Sequence, residues 1–150
     1  MRVLVTGGRG FLGRSVMPLL AGHEVLSLAR SADEERPGVR TVIGDLSRGG
    51  RWQAEIQDFA PEWCIHLAWE GLPDYSLGCC RANLDANIGF LETLARAGVH
   101  RVIVAGSCWE YGDAVGAVKE EAVPIGGGVF AATKHAIRAM LDGVSRDAGF

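Results

Sequence analysis

"VLVTGGRGFLGRSV", Val3 to Val16, begins as a short aliphatic run, breaks into glycine, and resumes with helical spacing. Its glycines satisfy GxxGxxG through Gly7, Gly10 and Gly13, and GxGxxG through Gly8, Gly10 and Gly13. Glycine lets a backbone come close to a pyrophosphate, whose charge is then met by the N–H groups and positive dipole at the start of the next helix. A bare glycine pattern is a weak signal. Here it lies between a first strand and a first helix, the context such a turn needs. The stretch predicts a dinucleotide-binding turn, with Gly7, Arg9, Gly10, Phe11, Leu12 and Gly13 facing the cofactor.

Working outward, apolar runs rich in β-branched residues predict further strands at 24–29, 40–44, 63–68 and 101–107, beside the first at 2–6. Helical patterns fall at 11–21, 51–60, 76–97 and 131–148. Strands alternating with helices predict a parallel sheet covered on both faces. The expected fold is a three-layer, doubly wound α/β domain of strand order 3-2-1-4-5. In the longest helix Leu84, Ile88, Leu91 and Leu94/Ala95 recur at three- and four-residue spacing, which predicts a core-facing stripe closed by Gly98.

Composition bounds the partners. The chain has 150 residues, 48% hydrophobic and 22% charged, with a formal charge of -3, so one soluble domain is expected, without long-range attraction for nucleic acid or anionic lipid. Cys64, Cys79, Cys80 and Cys108 form no CxxC and read as free thiols of a reducing compartment, with no metal site. "MRVLVTGG" is too short an apolar run for a signal peptide core or a spanning helix, so a cytoplasmic protein without membrane contact is expected.

Cofactor choice is read at the end of the second strand. A free ribose 2′-hydroxyl calls for an acidic residue there, and "LARS" offers Ala29 and Arg30 instead. With Arg9 as a second guanidinium, a 2′-phosphate is better served than a hydroxyl, so the expected cofactor is NADP rather than NAD.

Taken in order, "TGGRGFLG", "GDL" at Asp45 and Leu46, "HLAW" from His66 to Trp69, "GSCWEYG" from Gly106 to Gly112, and Asn83 in the long helix resemble the landmarks of the extended short-chain dehydrogenase/reductase family. That family holds nucleotide-sugar epimerases, dehydratases and related reductases. The resemblance implies cofactor contacts at Asp45, Leu46, Leu67, Ala68, Trp69 and Asn83, and a homodimer through the long helix and the helix carrying Lys134. It also implies a catalytic serine, tyrosine and lysine, the last two spaced YxxxK. Ser107 takes the serine place and Lys134 the lysine place, where it would hold the nicotinamide ribose.

Phe130 stands where the tyrosine belongs, and no other register restores the motif, since Cys79 follows Tyr75 by four and Val115 follows Tyr111 by four. A phenyl ring cannot trade a proton with a substrate hydroxyl or carbonyl. Ser107-Cys108-Trp109 in place of a Thr-Asp-Glu dehydratase signature favours epimerase or reductase chemistry. The expected activity is hydride transfer on a small-molecule substrate of the nucleotide-sugar type, impaired by Phe130; the alternative is a non-catalytic NADP-binding sensor or scaffold. The chain is expected to be the N-terminal, cofactor-binding part of a longer enzyme, its substrate-binding part absent.

Other residues are weighed against plainer roles. His66 reads as a packed histidine and His135 as a surface one, while Trp69, Glu70 and Tyr75 read equally as pocket lining or loop cover. Glu110 is the ionisable residue near Ser107 that could replace the missing tyrosine, against the ordinary reading of an exposed loop carboxylate.

Overall fold

The structure, a computed structural model, describes residues 1–32 and 36–148. Five strands, β1 (Arg2–Thr6), β2 (Glu24–Ala29), β3 (Val39–Ile43), β4 (Trp63–His66) and β5 (Arg101–Val104), form one sheet in the order β3-β2-β1-β4-β5. Every neighbouring pair is parallel. Among the described residues the α-helices are α1 (Phe11–Val16), α2 (Arg51–Phe59), α3 (Leu77–Ala97) and α4 (Val129–Ala148). The predicted doubly wound architecture and strand order are those observed. Strand order reverses between β1 and β4, which opens a crevice at the carboxyl ends of these two strands.

Alternation along the strands sorts the core into two layers. Leu4, Leu26, Val42 and Cys64 join Trp52, Ile56, Phe90 and Leu94 on one face, while Val3, Val5 and Val25 pack with Met17 on the other. Consecutive residues of β1 and β2 are therefore buried together, as a strand covered on both sides requires. At the β5 edge Arg101 and Ile103 are exposed.

Several elements differ from expectation for local reasons. After α1 the chain tightens into a 3-10 turn, Met17–Leu20, because Pro18 has no N–H to continue an α-helical ladder. β4 stops at His66, since the Ala68 N–H goes to the Thr6 hydroxyl instead of a neighbouring strand. β5 stops at Val104, where the next carbonyl, that of Ala105, accepts from Lys134. In α3 the buried stripe is Cys80, Asn83, Asn87, Phe90, Leu91 and Leu94, with Leu84 and Ile88 only half-buried. Two asparagines displace the aliphatic stripe because their amides find buried partners.

Two glycines are required by packing. Gly7 has φ +71°, and a Cβ there would lie 2.7 Å from the Ala68 nitrogen. A Cβ on Gly13 would overlap the Gly7 carbonyl oxygen and the Gly8 backbone, so α1 can approach the turn only without a side chain. Gly13→Ala should lower stability by about 1–3 kcal/mol in urea unfolding. Gly89→Ala, in α3 with no atom near its Cβ position, should instead raise it by about 0.5–1 kcal/mol.

Candidate dinucleotide site

At the crevice lies a cleft of about 570 Å³, in the size range of small-molecule sites. The glycine turn supplies Gly7, Gly8, Arg9 and Gly10; the end of β2 supplies Ala29 and Arg30; the segment after β3 supplies Asp45 and Leu46. Leu67, Ala68 and Trp69 enter from the end of β4, and Asn83 from α3. The glycine turn itself is closed by a hydrogen bond from the Gly10 N–H to the Gly7 carbonyl, at 2.9 Å. Phe11 and Leu12, expected to face the cofactor, are 92% and 51% exposed and do not line the cleft, because the first turn of α1 directs them to solvent. Gly13 is buried behind the turn.

Two arginines border the β2 end. Arg9 donates to the Ser31 hydroxyl at 3.0 Å and the Ala32 carbonyl at 3.3 Å, which lays its guanidinium across the loop after β2. Arg30 pairs with Glu70, both well exposed, so the pair is worth about 1 kcal/mol or less and leaves the guanidinium free to change partners. Asp45 accepts from the Ser47 hydroxyl and N–H, and these bonds hold its carboxyl below the usual range.

Beneath the cleft runs a continuous buried chain of hydrogen bonds. The Asn87 amide nitrogen donates to the Asn83 carbonyl at 2.8 Å, so its oxygen faces His66 Nε2, also at 2.8 Å, and that nitrogen carries the proton. His66 Nδ1 then accepts from the Thr6 hydroxyl at 2.6 Å, whose oxygen accepts from the Ala68 N–H. Asn83 accepts from the Glu70 N–H and donates to the Glu70 and Cys79 carbonyls. Burial lowers the His66 pKa to about 4, so the ring is neutral. This is the packed histidine that its place on a strand suggested.

The candidate catalytic residues lie beyond the cleft lining. Ser107 caps a 3-10 turn, Cys108–Tyr111, its hydroxyl accepting from the Trp109 N–H at 3.2 Å. Glu110, buried rather than exposed, accepts from the Ser107 N–H at 2.6 Å and so serves as the reciprocal cap. Lys134 donates to the Ala105 carbonyl at 3.1 Å and sits 4.2 Å from the centre of the Trp69 ring. Burial lowers its pKa to about 8, against the opposing pull of Glu110.

Phe130, one turn before Lys134, is the hub of an aromatic cluster with Trp69, Tyr75 and Trp109, at centroid distances of 5.1, 5.0 and 5.5 Å. Trp69 Nε1 is buried with no acceptor among the described residues. Thr6, Asn87, Tyr75 and Trp109 complete the site without having been singled out for these contacts. The Asn83/Asn87 spacing of four on one helix face was the available signal.

Fold and cleft together define a Rossmann-like α/β domain of the extended short-chain dehydrogenase/reductase type. The chain belongs to the NAD dependent epimerase/dehydratase family, whose model matches residues 3–150. It is similar to the UDP-glucose 4-epimerase of Klebsiella pneumoniae, 29% identical over 132 residues that cover 75% of this chain and 94% of that one. It is also similar to dTDP-6-deoxy-L-talose 4-dehydrogenase (NAD(+)) of Aggregatibacter actinomycetemcomitans, 27% identical over 125 residues, 79% of this chain and 46% of that one. Among solved structures, the Thermus thermophilus UDP-glucose 4-epimerase complex with NAD superposes with a TM-score of 0.85 at 27% identity, covering 100% of this chain and 52% of that one. The chain thus spans about half the length of that structure.

Among the described residues no helix is long and apolar enough to cross a membrane, and no group of three or more His, Cys, Asp or Glu could hold a metal ion.

The His66 pKa has a consequence for stability. Its folded value of about 4 lies below the ordinary 6.5, so the unfolded chain takes up an extra proton between these values. The contribution is complete above pH 6.5 and is lost as pH falls toward 4, amounting to about 3 kcal/mol. Urea unfolding at intervals across this window should show the loss, and a His66→Gln variant, less stable throughout, should lack this component of the slope.

Proposed function

We propose that the cleft binds NADP and that the chain is the cofactor-binding part of an enzyme for hydride transfer on a nucleotide sugar or related keto/hydroxy substrate. The observation that carries this reading is the glycine turn at the switch point of the sheet, where Gly7 and Gly13 leave no room for a Cβ and the turn borders an open cleft. The donor set fits a dinucleotide: backbone N–H groups at the start of α1 for the pyrophosphate, Asp45 and Leu46 on the adenosine side, Arg9 and Arg30 for a 2′-phosphate. When bound, the cofactor supplies the hydride acceptor or donor. Lys134 would hold the nicotinamide ribose and Ser107 would hydrogen-bond the substrate oxygen.

Phe130 puts no phenolic hydroxyl at the position one turn before Lys134, and Glu110 is engaged in capping Ser107. The packing of Phe130 among three other rings favours a second reading, a module that binds NADP without turnover. The substrate-binding part is proposed to lie outside this chain, which spans 46% of the talose dehydrogenase and 52% of the Thermus structure. A cytoplasmic homodimer, joined through α3 and α4, completes the proposal.

Fluorescence titration should find NADPH bound about tenfold or more tightly than NADH, from charge-assisted bonds to the 2′-phosphate, with the ratio reduced in Arg30→Ala. Equal affinities, or a ratio unchanged by that substitution, contradict the cofactor assignment. With UDP-glucose as probe and the substrate-binding part supplied, Phe130→Tyr should raise turnover by about 10² to 10⁴. NADPH binding without turnover in either form would select the module.

A further inference from the structure

Trp69 stands where the cleft meets the candidate catalytic side chains. It lines the cleft, whereas Ser107, Phe130 and Lys134 do not. The Lys134 ammonium lies over its ring, and the Phe130 ring meets it edge-on, at 84° between planes. These contacts satisfy the apolar part of the indole. Its single polar atom, Nε1, is buried without an acceptor among the described residues, so the ring is placed by two modest attractions against an unmet hydrogen bond.

The backbone on either side is fixed. The Ala68 N–H is held by the Thr6 hydroxyl, and both the N–H and the carbonyl of Glu70 are held by the Asn83 amide. Any rearrangement at this point must therefore be a turning of the Trp69 side chain, not a movement of the loop. A turned indole would free its N–H to meet a ligand oxygen or water and would open the way from the cleft to Lys134.

We propose that the Trp69 indole is a displaceable stopper between the adenosine side of the cleft and the Lys134 side, so that it sorts ligands by length. A ligand that ends at the glycine turn leaves the ring in place; one that reaches toward Lys134 must turn it out, and its affinity is reduced by the fraction of molecules in which the ring is closed. This rests on the reading of the cleft as a dinucleotide site, and the test separates the two.

The full chain, labelled with 5-fluorotryptophan, is titrated with NADPH and with adenosine 2′,5′-bisphosphate, which lacks the nicotinamide half. The Trp69 fluorine resonance is assigned from Trp69→Phe. NADPH should move that resonance and the bisphosphate should leave it unmoved. By calorimetry Trp69→Ala should bind NADPH at least about threefold more tightly, with bisphosphate affinity unchanged, while Trp69→Phe, which keeps a ring over Lys134, should bind NADPH no more tightly than the parent. A Trp69 resonance unmoved at NADPH saturation, or moved equally by both ligands, overturns the proposal and leaves the dinucleotide reading standing. So does a Trp69→Ala variant that binds both ligands as the parent does. Failure of both ligands to bind overturns the dinucleotide reading and the stopper with it. If Trp69→Ala does not fold, the fluorine comparison on the parent chain decides alone.

Discussion

The close approach of α1 to the end of β1, carbonyl of Gly7 against the bare Cα of Gly13, sets the geometry on which the site depends. Because no side chain intervenes, the helix begins directly behind the glycine turn that borders the crevice. The same turn lies against Leu67 and Ala68, so it also fixes the distance between the ends of β1 and β4. Thr6 then meets His66, His66 meets Asn87, and the asparagines of α3 reach back to the loop bearing Trp69. A local steric condition at two glycines thus extends, through buried polar contacts, to the far end of the cleft.

That buried chain constrains chemistry as well as shape. With both ring nitrogens engaged and its pKa near 4, His66 is a structural group and not an acid or base at neutral pH. Glu110 is committed to the Ser107 backbone. Lys134, with a pKa of about 8, keeps its positive charge in most molecules at neutral pH. The cleft thus adjoins an aromatic cluster in which Phe130, the residue one turn before Lys134, carries no hydroxyl.

What could be read in advance follows the range of the forces involved. The glycine turn was legible because its requirement is local, and Ala29, Arg30, Asp45 and Leu46 were legible as residues at or just past strand ends, which a doubly wound sheet brings to one edge. The ends of β4 and β5 were not, because they are decided by partners distant in sequence: Thr6 for Ala68, and Lys134 for Ala105. The buried stripe of α3 was displaced from its aliphatic residues for the same reason. Hydrophobicity assigns Asn83 and Asn87 to the surface, and only the hydrogen bonds formed after folding permit them inside. Glu110 was expected on an exposed loop, and its burial rests on a capping bond to Ser107 for which the Ser-x-x-Glu spacing was the available signal.

The proposed dinucleotide site at the β1/β4 switch point rests on the glycine turn. A crystal structure of the chain grown with NADPH tests it most directly. The pyrophosphate should lie against the backbone N–H groups that open α1, and the 2′-phosphate beside Arg9 and Arg30. A nucleotide bound elsewhere on the surface, or lying in the cleft with its phosphates away from the glycine turn, would contradict it.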